Sequence, residues 1–274
     1  MLSARFRIIL VVLFFGLLTS SQGWGGTPAL KFYISDKLVQ SITLDELKQH
    51  LKTHEINYND PHYSASKRFA AFSIQDVLQL AYADDWKDTS YSDATFTALD
   101  GYKAVGPIDK LDEEGGYLAF ADLDASAENS WLPIGSKKAN PGPFYLFWTA
   151  QQQSTSNGYP WPWQIASFTL VRFTDQYPEV YPKGAVAGSD ALHGFTIFKD
   201  RCFRCHAINQ QGGKIGPDLN APQSIVAYRS ANMIREFIRQ PSRYRYTYMP
   251  DHGDLSEQDL DALLAYFWHK SRDK

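Results

Sequence analysis

The chain has little cysteine and little methionine for its length. Among 274 residues, Cys202 and Cys205 are the only cysteines, and Met233 and Met249 are the only methionines besides Met1. Two thiols cannot supply a four-thiolate zinc site from this chain alone. If both thiols bind a cofactor, none remains to form a disulfide. Long apolar runs are also scarce. After residue 23, no segment stays apolar over enough residues to span a membrane.

The first residues have the pattern of an export signal. Arg5 and Arg7 precede an apolar run from Ile8 to Leu18, and small or polar residues continue to Gly23. This order predicts a Sec-type signal peptide over residues 1–23. We therefore expect a periplasmic protein that is membrane-attached only if this segment is kept as an anchor.

The two cysteines lie in the sequence Cys202-Phe203-Arg204-Cys205-His206. Cysteines at this spacing lie on one side of a helical turn, so both thiols can add to the two vinyl groups of one porphyrin. The histidine that follows can then ligate the iron. A redox dithiol and half of a zinc site are the alternatives for a bare Cys-x-x-Cys. The motif predicts one covalent haem c, which agrees with export, because haem c is attached outside the bacterial inner membrane.

Residues on both sides of the motif follow an order that resembles class I cytochromes c. They are Gly194 and Phe198 upstream, Ile215-Gly216-Pro217-Asp218-Leu219 and Tyr248-Met249-Pro250 downstream, and Tyr266 in a closing amphipathic helix. The resemblance covers about the last third of the chain. It implies an all-α cytochrome domain over residues 189–274.

The same resemblance implies the roles of individual residues. Cys202 and Cys205 would hold the haem, His206 would be the proximal iron ligand and Met249 the distal ligand. The backbone carbonyl of Pro217 would accept the free ring N–H of His206, which fixes the imidazole tautomer. Three other side chains are rival distal ligands, namely Met233, His193 and His252.

The region from residue 24 to 176 alternates between strands and short helices. Residues 30–42 have the pattern of a hairpin, Thr43 and Ser73 that of helix caps, and residues 164–173 that of an alternating strand. The sequence therefore predicts an α+β domain rich in sheet.

Short motifs in this region resemble the sulfite-oxidase-type molybdopterin-binding domain. They are Asp100-Gly101-Tyr102, residues 115–120, Trp131-Leu132-Pro133-Ile134, Gly142-Pro143-Phe144 and the closing strand. The resemblance implies a pterin-binding fold. However, that family places a cysteine thiolate on molybdenum, and this chain has no cysteine before Cys202. We therefore expect a scaffold or docking domain rather than molybdenum chemistry.

A boundary between the two domains is expected where prolines and glycines cluster. Pro178, Pro182, Gly184 and Gly188 predict a linker over residues 177–188. The net charge is −7 for residues 24–183 and +2 for residues 184–274. Neither balance indicates nucleic-acid binding.

Two functional classes remain open from the sequence. The first is a periplasmic electron carrier whose partner is an oxidoreductase, another cytochrome or a terminal oxidase. The second is a haem-bearing subunit or fused domain of a periplasmic oxidoreductase, whose N-terminal domain binds a small substrate or a pterin. The missing thiolate favours a carrier over a catalyst acting alone.

Overall fold

The computed structural model describes residues 27–126, 130–135 and 138–273. The predicted signal peptide lies outside the described residues. The strands are β1 Ala29–Ile34, β2 Lys37–Thr43, β3 His54–Asp60, β4 Ala65–Ser73, β5 Asp93–Ala98, β6 Lys103–Pro107, β7 Gly116–Asp122, β8 Tyr145–Trp148, β9 Ile165–Val171, β10 Ala207–Ile208 and β11 Gln211–Gly212. The α-helices are α1 Leu44–His50, α2 Ile74–Tyr82, α3 Ile108–Leu111, α4 Phe173–Gln176, α5 Asp190–Ile197, α6 Ile225–Tyr228, α7 Ala231–Arg239 and α8 Glu257–Lys270.

Local sequence signals account for the first elements. Strands β1 and β2 form the expected antiparallel hairpin. Thr43 begins α1 with a capping box, because its side chain accepts from the Glu46 N–H while the Glu46 carboxylate accepts from the Thr43 N–H. Ser73 caps α2 with a single bond, by accepting from the N–H of Asp76. These predicted features are confirmed.

The strands before residue 172 form two sheets. One has the order β2-β1-β9-β5-β6 and the other the order β3-β4-β7-β8. Strand β1 pairs parallel to β9, with Phe32 beside Phe168, so the beginning and end of this region lie side by side. Rings such as Trp86 and Trp148 are fully buried in the core, and each contributes on the order of 2–3 kcal/mol of hydrophobic stabilisation.

Helices α5 and α8 cross in the C-terminal region. An added Cβ at Gly194 would lie 2.5 Å from the carbonyl carbon of Ala262 and 2.8 Å from Cβ of Tyr266. No side chain fits there, so glycine at position 194 is what allows the two helices to approach this closely. The buried Phe198, Leu263 and Phe267 fill the core beside the crossing.

The prediction of an all-α cytochrome domain was wrong. Immediately after His206 the chain forms an antiparallel ladder between β10 and β11, in which Ala207 pairs with Gly212. Asn209 and Gln210 both have positive φ, 49° and 69°, as the turn of a two-residue hairpin requires. Asn-Gln is not the usual pair for such a turn, so sequence patterns did not reveal it. The fold therefore combines a sheet-rich N-terminal region with a mostly helical C-terminal region that contains a short ladder.

The interval predicted as a linker has neither helix nor strand but is packed. The Tyr177 ring lies 4.7 Å from that of Phe203, and the carbonyl of the fully buried Val180 accepts from the Tyr266 hydroxyl at 2.7 Å. The domain limits remain a prediction. Over the described ranges, the structure contains no helix with the length and apolar character needed to cross a membrane.

Candidate haem attachment site

The cysteine motif follows directly from a change in helical winding. Helix α5 continues into a π-turn over Phe198–Cys202, where the N–H of Phe203 donates to the carbonyl of Phe198 at 2.8 Å. The N–H groups of Cys205 and His206 then both donate to the Cys202 carbonyl, at 3.0 and 2.9 Å. These bonds wind the motif into a single turn with the histidine one turn beyond the first cysteine. Widened turns of this kind occur frequently at functional sites.

His206 is held in a defined orientation. Its Nδ1 lies 2.8 Å from the backbone carbonyl of Pro217. A carbonyl only accepts, so Nδ1 carries the hydrogen and the lone pair is left on Nε2. Burial lowers the pKa of His206, although the bond to Pro217 opposes this effect. The imidazole is therefore neutral at neutral pH and able to ligate a metal.

Three glycines make room for this arrangement, and the sequence patterns did not assign them a role. An added Cβ at Gly216 would lie 2.7 Å from Nδ1 of His206, and one at Gly213 would lie 2.6 Å from the Cys205 nitrogen. Gly212 has a φ of +134°, which favours glycine. A cluster of glycines within ten residues of the motif was the available signal.

The thiols do not have the properties of a redox dithiol. Burial raises the pKa of Cys202 to about 12, and it raises the pKa of Cys205 as well, with Arg204 opposing both shifts. Reactive Cys-x-x-Cys pairs depend instead on a lowered thiol pKa. Within the part of the chain that the structure describes, no group of three or more His, Cys, Asp or Glu side chains is arranged to hold a metal ion. The raised pKa values of both thiols argue against the redox dithiol.

The rival distal ligands occupy different surroundings. Met249 is partly buried in the irregular segment between α7 and α8, where its N–H donates to Oγ1 of Thr247. Met233 lies on α7 and is 39% exposed, and the exposed His193 ring faces Asp259 at 3.4 Å. Met249 stays the predicted distal ligand.

His252 is the remaining rival. It is buried, and its Nδ1 has no hydrogen-bond partner. Its pKa is lowered to about 4, chiefly by burial and next by the charge of Arg201. His252 lies three residues after Met249 in the same irregular segment.

These observations define a class of protein. Two protonated thiols on one turn, followed by a neutral imidazole held by a carbonyl, fit a covalently attached haem and satisfy the chemistry of its attachment and ligation. The fold around them, with terminal helices crossing at a glycine, is that of a haem-carrying cytochrome domain.

Comparison with known proteins agrees with the assignment of a haem-carrying cytochrome domain. The family described as cytochrome c matches residues 191–271. Cytochrome c of Gibberella zeae is 31% identical over 100 residues, covering 30% of this chain and 94% of that protein. Cytochrome c oxidase subunit 2 of Alkalihalophilus pseudofirmus is 31% identical over 83 residues, which are 28% of this chain but only 24% of that subunit. The chain belongs to the cytochrome c family.

Family membership supports haem c as the cofactor and a haem-based electron-transfer role. It also agrees with a redox partner of the oxidase or cytochrome type. The resemblance of the N-terminal region to the sulfite-oxidase-type domain is not supported, because the matching family covers only residues 191–271.

Proposed function

We propose that this protein is an exported electron carrier with one haem c. Cys202 and Cys205 attach the haem through thioether bonds, and His206 and Met249 are its axial ligands. Residues 1–23 direct export to the periplasm, and the region from residue 24 to 176 serves as a docking or scaffold domain, joined through residues 177–188 to the cytochrome domain at 189–274. The protein is a carrier rather than a catalyst acting alone.

The observation that carries this proposal is the orientation of His206. The bond from its Nδ1 to the Pro217 carbonyl leaves Nε2 as the only basic nitrogen, and burial keeps the ring neutral. A haem bound at this site exchanges single electrons reversibly. His206 holds its position because the absence of a side chain at Gly216 leaves space for the ring.

Met249 suits a carrier better than the rival His252. A thioether is a weaker donor than imidazole and raises the reduction potential relative to two histidines. Met249 is also next to Pro250, and a residue that precedes proline is biased away from the helical conformation. If His206 and Met249 both held the iron, no substrate would bind to it.

The alternative is a haem-bearing part of an oxidoreductase, and the structure offers one feature relevant to it. A cleft of about 540 Å³ between the N-terminal and C-terminal regions is lined by Lys87, Lys110 and Lys199. Each lysine is already paired with an aspartate: Asp112 at 2.6 Å, Asp200 at 3.2 Å and Asp93 at 2.9 Å respectively. A cleft whose cations are all paired is poorly suited to an anionic substrate, which favours the carrier.

Haem content tests the proposal directly. The protein should be produced with its own leader in a bacterium that matures c-type cytochromes, denatured, and assayed for haem that stays with the polypeptide. One haem per chain is expected, and Cys202→Ala combined with Cys205→Ala should abolish attachment. The matched control Ser271→Ala, directly after the last residue of α8, should retain it. A properly exported wild-type protein without covalent haem would refute the proposal.

A further inference from the structure

The middle residues of the cysteine motif are held by parts of the chain outside the cytochrome family match. The guanidinium of Arg204 donates to the backbone carbonyl of Thr155 at 2.8 Å and to that of Asp200 at 2.7 Å. Phe203 is buried, with its ring 5.0 Å from that of Phe173 and packed also on Tyr177. Both residues between the cysteines are therefore used to fix the motif against the N-terminal region and the segment that follows it.

A second contact lies beside the motif. Nζ of Lys110 donates to the carbonyl of Asn157 at 2.7 Å and to the carboxylate of Asp200 at 3.2 Å. Lys110 therefore ties the loop at Thr155–Gly158 to the turn that precedes Cys202. The two ionic side chains are about one-fifth exposed, so solvent screens the pair only in part.

Strand β6 adds a third contact, because its Val105 packs on the C-terminal core. Lys110 and the loop Thr155–Gly158 are called the cap below.

The cap is packed too closely for a side chain to be added. Gly158 has a φ of +79°, and an added Cβ would lie 3.0 Å from Cβ of Asp200. Such a distance requires one of the two segments to move. By contrast, Gly184 has nearly the same φ, +75°, and an added Cβ there would meet nothing within 4 Å. The two glycines therefore share a backbone conformation but differ in packing.

We propose that the cap is a fixed cover on the Arg204 side of the haem attachment motif, supplied by the N-terminal region, and that it excludes water from that side. The inference rests on the proposed function for its effect on the haem. Excluding water from an iron site disfavours the more highly charged ferric state, so the cap raises the reduction potential. The N-terminal region thus acts as an intramolecular partner of the haem site. Electron exchange with other proteins takes place on the sides of the motif that the cap leaves open.

Two matched variants of the full-length protein test the cap. Gly158→Val places a side chain between the cap and Asp200, whereas Gly184→Val imposes the same backbone strain on an open surface. In amide hydrogen–deuterium exchange, residues 202–206 should exchange about ten- to a hundredfold faster in Gly158→Val than in Gly184→Val. The midpoint potential should become more negative only in Gly158→Val. Equal exchange and equal potentials in the two variants would overturn the proposal.

A second pair of variants applies if Gly158→Val does not fold. Lys110→Met removes the bonds from the cap to Asn157 and Asp200, and the control Lys87→Met removes a lysine whose pair with Asp112 is exposed to solvent. Only Lys110→Met should accelerate exchange and lower the potential; no difference between the two contradicts the cap. Hydrogen–deuterium exchange is measurable without haem. A wild-type protein that lacks haem therefore refutes the electron-carrier proposal, whereas the comparison of exchange rates still decides whether the cap covers the motif.

Discussion

The ion pair between Asp93 and Lys199 gives the sharpest test of how the two regions are joined. Asp93 lies on β5 and is fully buried, and its Oδ1 accepts from Nζ of Lys199, three residues before Cys202, at 2.9 Å. Its Oδ2 accepts from the Ser92 hydroxyl at 2.6 Å. Nζ of Lys199 also lies 5.6 Å from the centre of the Phe173 ring. Lys199→Met should therefore leave a buried carboxylate with a single hydroxyl donor.

The loss of folding stability expected for Lys199→Met follows from this geometry. Removing one partner of a buried ion pair costs about 3–5 kcal/mol, because the remaining charge is desolvated without compensation. The matched control is Lys183→Met, whose pair with Glu179 at 3.1 Å has side chains 60% and 43% exposed. A pair exposed to solvent in this way contributes about 0.2–1 kcal/mol. The double variant Asp93→Asn with Lys199→Met removes both charges and should lose less stability than Lys199→Met alone.

Urea unfolding followed by circular dichroism and tryptophan fluorescence measures these differences. Lys199→Met should lower the free energy of unfolding several times more than Lys183→Met does. If both variants lose less than about 1 kcal/mol, or if the double variant is the least stable, the ion pair does not hold the two regions together as described.

Two further predictions concern the axial ligand and the pH dependence of stability. Met249→Ala should abolish the weak long-wavelength absorption band that marks thioether ligation of ferric haem, whereas Met233→Leu, on the exposed side of α7, should keep it. Loss of the band in Met233→Leu alone would reverse the ligand assignment. Burial lowers the pKa of His62 from its usual value of 6.5, against the opposing charge of Asp60, and Nε2 of His62 is buried without a partner. The unfolded chain therefore binds a proton that the folded protein does not, so stability should fall as the pH drops below about 6.5. Substitution of His62 by Phe should flatten that part of the stability profile, the control His50→Gln should not, and an unchanged profile in the Phe variant would contradict the assignment.

Local interactions were readable from the sequence because their partners are close along the chain. Thr43 and Ser73 act three residues ahead, and Ser256 forms a capping box with Asp259, so short patterns specify them. The hairpin of β1 and β2 is set by the turn between them. These features need no knowledge of the tertiary structure.

The short ladder after His206 was missed for the opposite reason. Its turn uses Asn209 and Gln210 in left-handed conformations that neither residue type demands. They are imposed by surrounding contacts, such as the bond from the Gln210 N–H to Asp218 at 2.6 Å and that from the Gly213 N–H to the His206 carbonyl at 3.1 Å. A prediction based on turn propensities does not take those contacts into account.

The spacing of Cys202, Cys205 and His206 determined the chemistry of this protein, because three side chains on one helical turn need no distant partner to define an attachment site. Only the tertiary structure decided what surrounds that site. The parallel pairing of β1 with β9, the bond between Asp93 and Lys199, and the bond from Arg204 to the Thr155 carbonyl join residues far apart in the chain. Such contacts form only when the chain has paid the entropy of closing long loops, so they depend on the whole fold and leave no local signature.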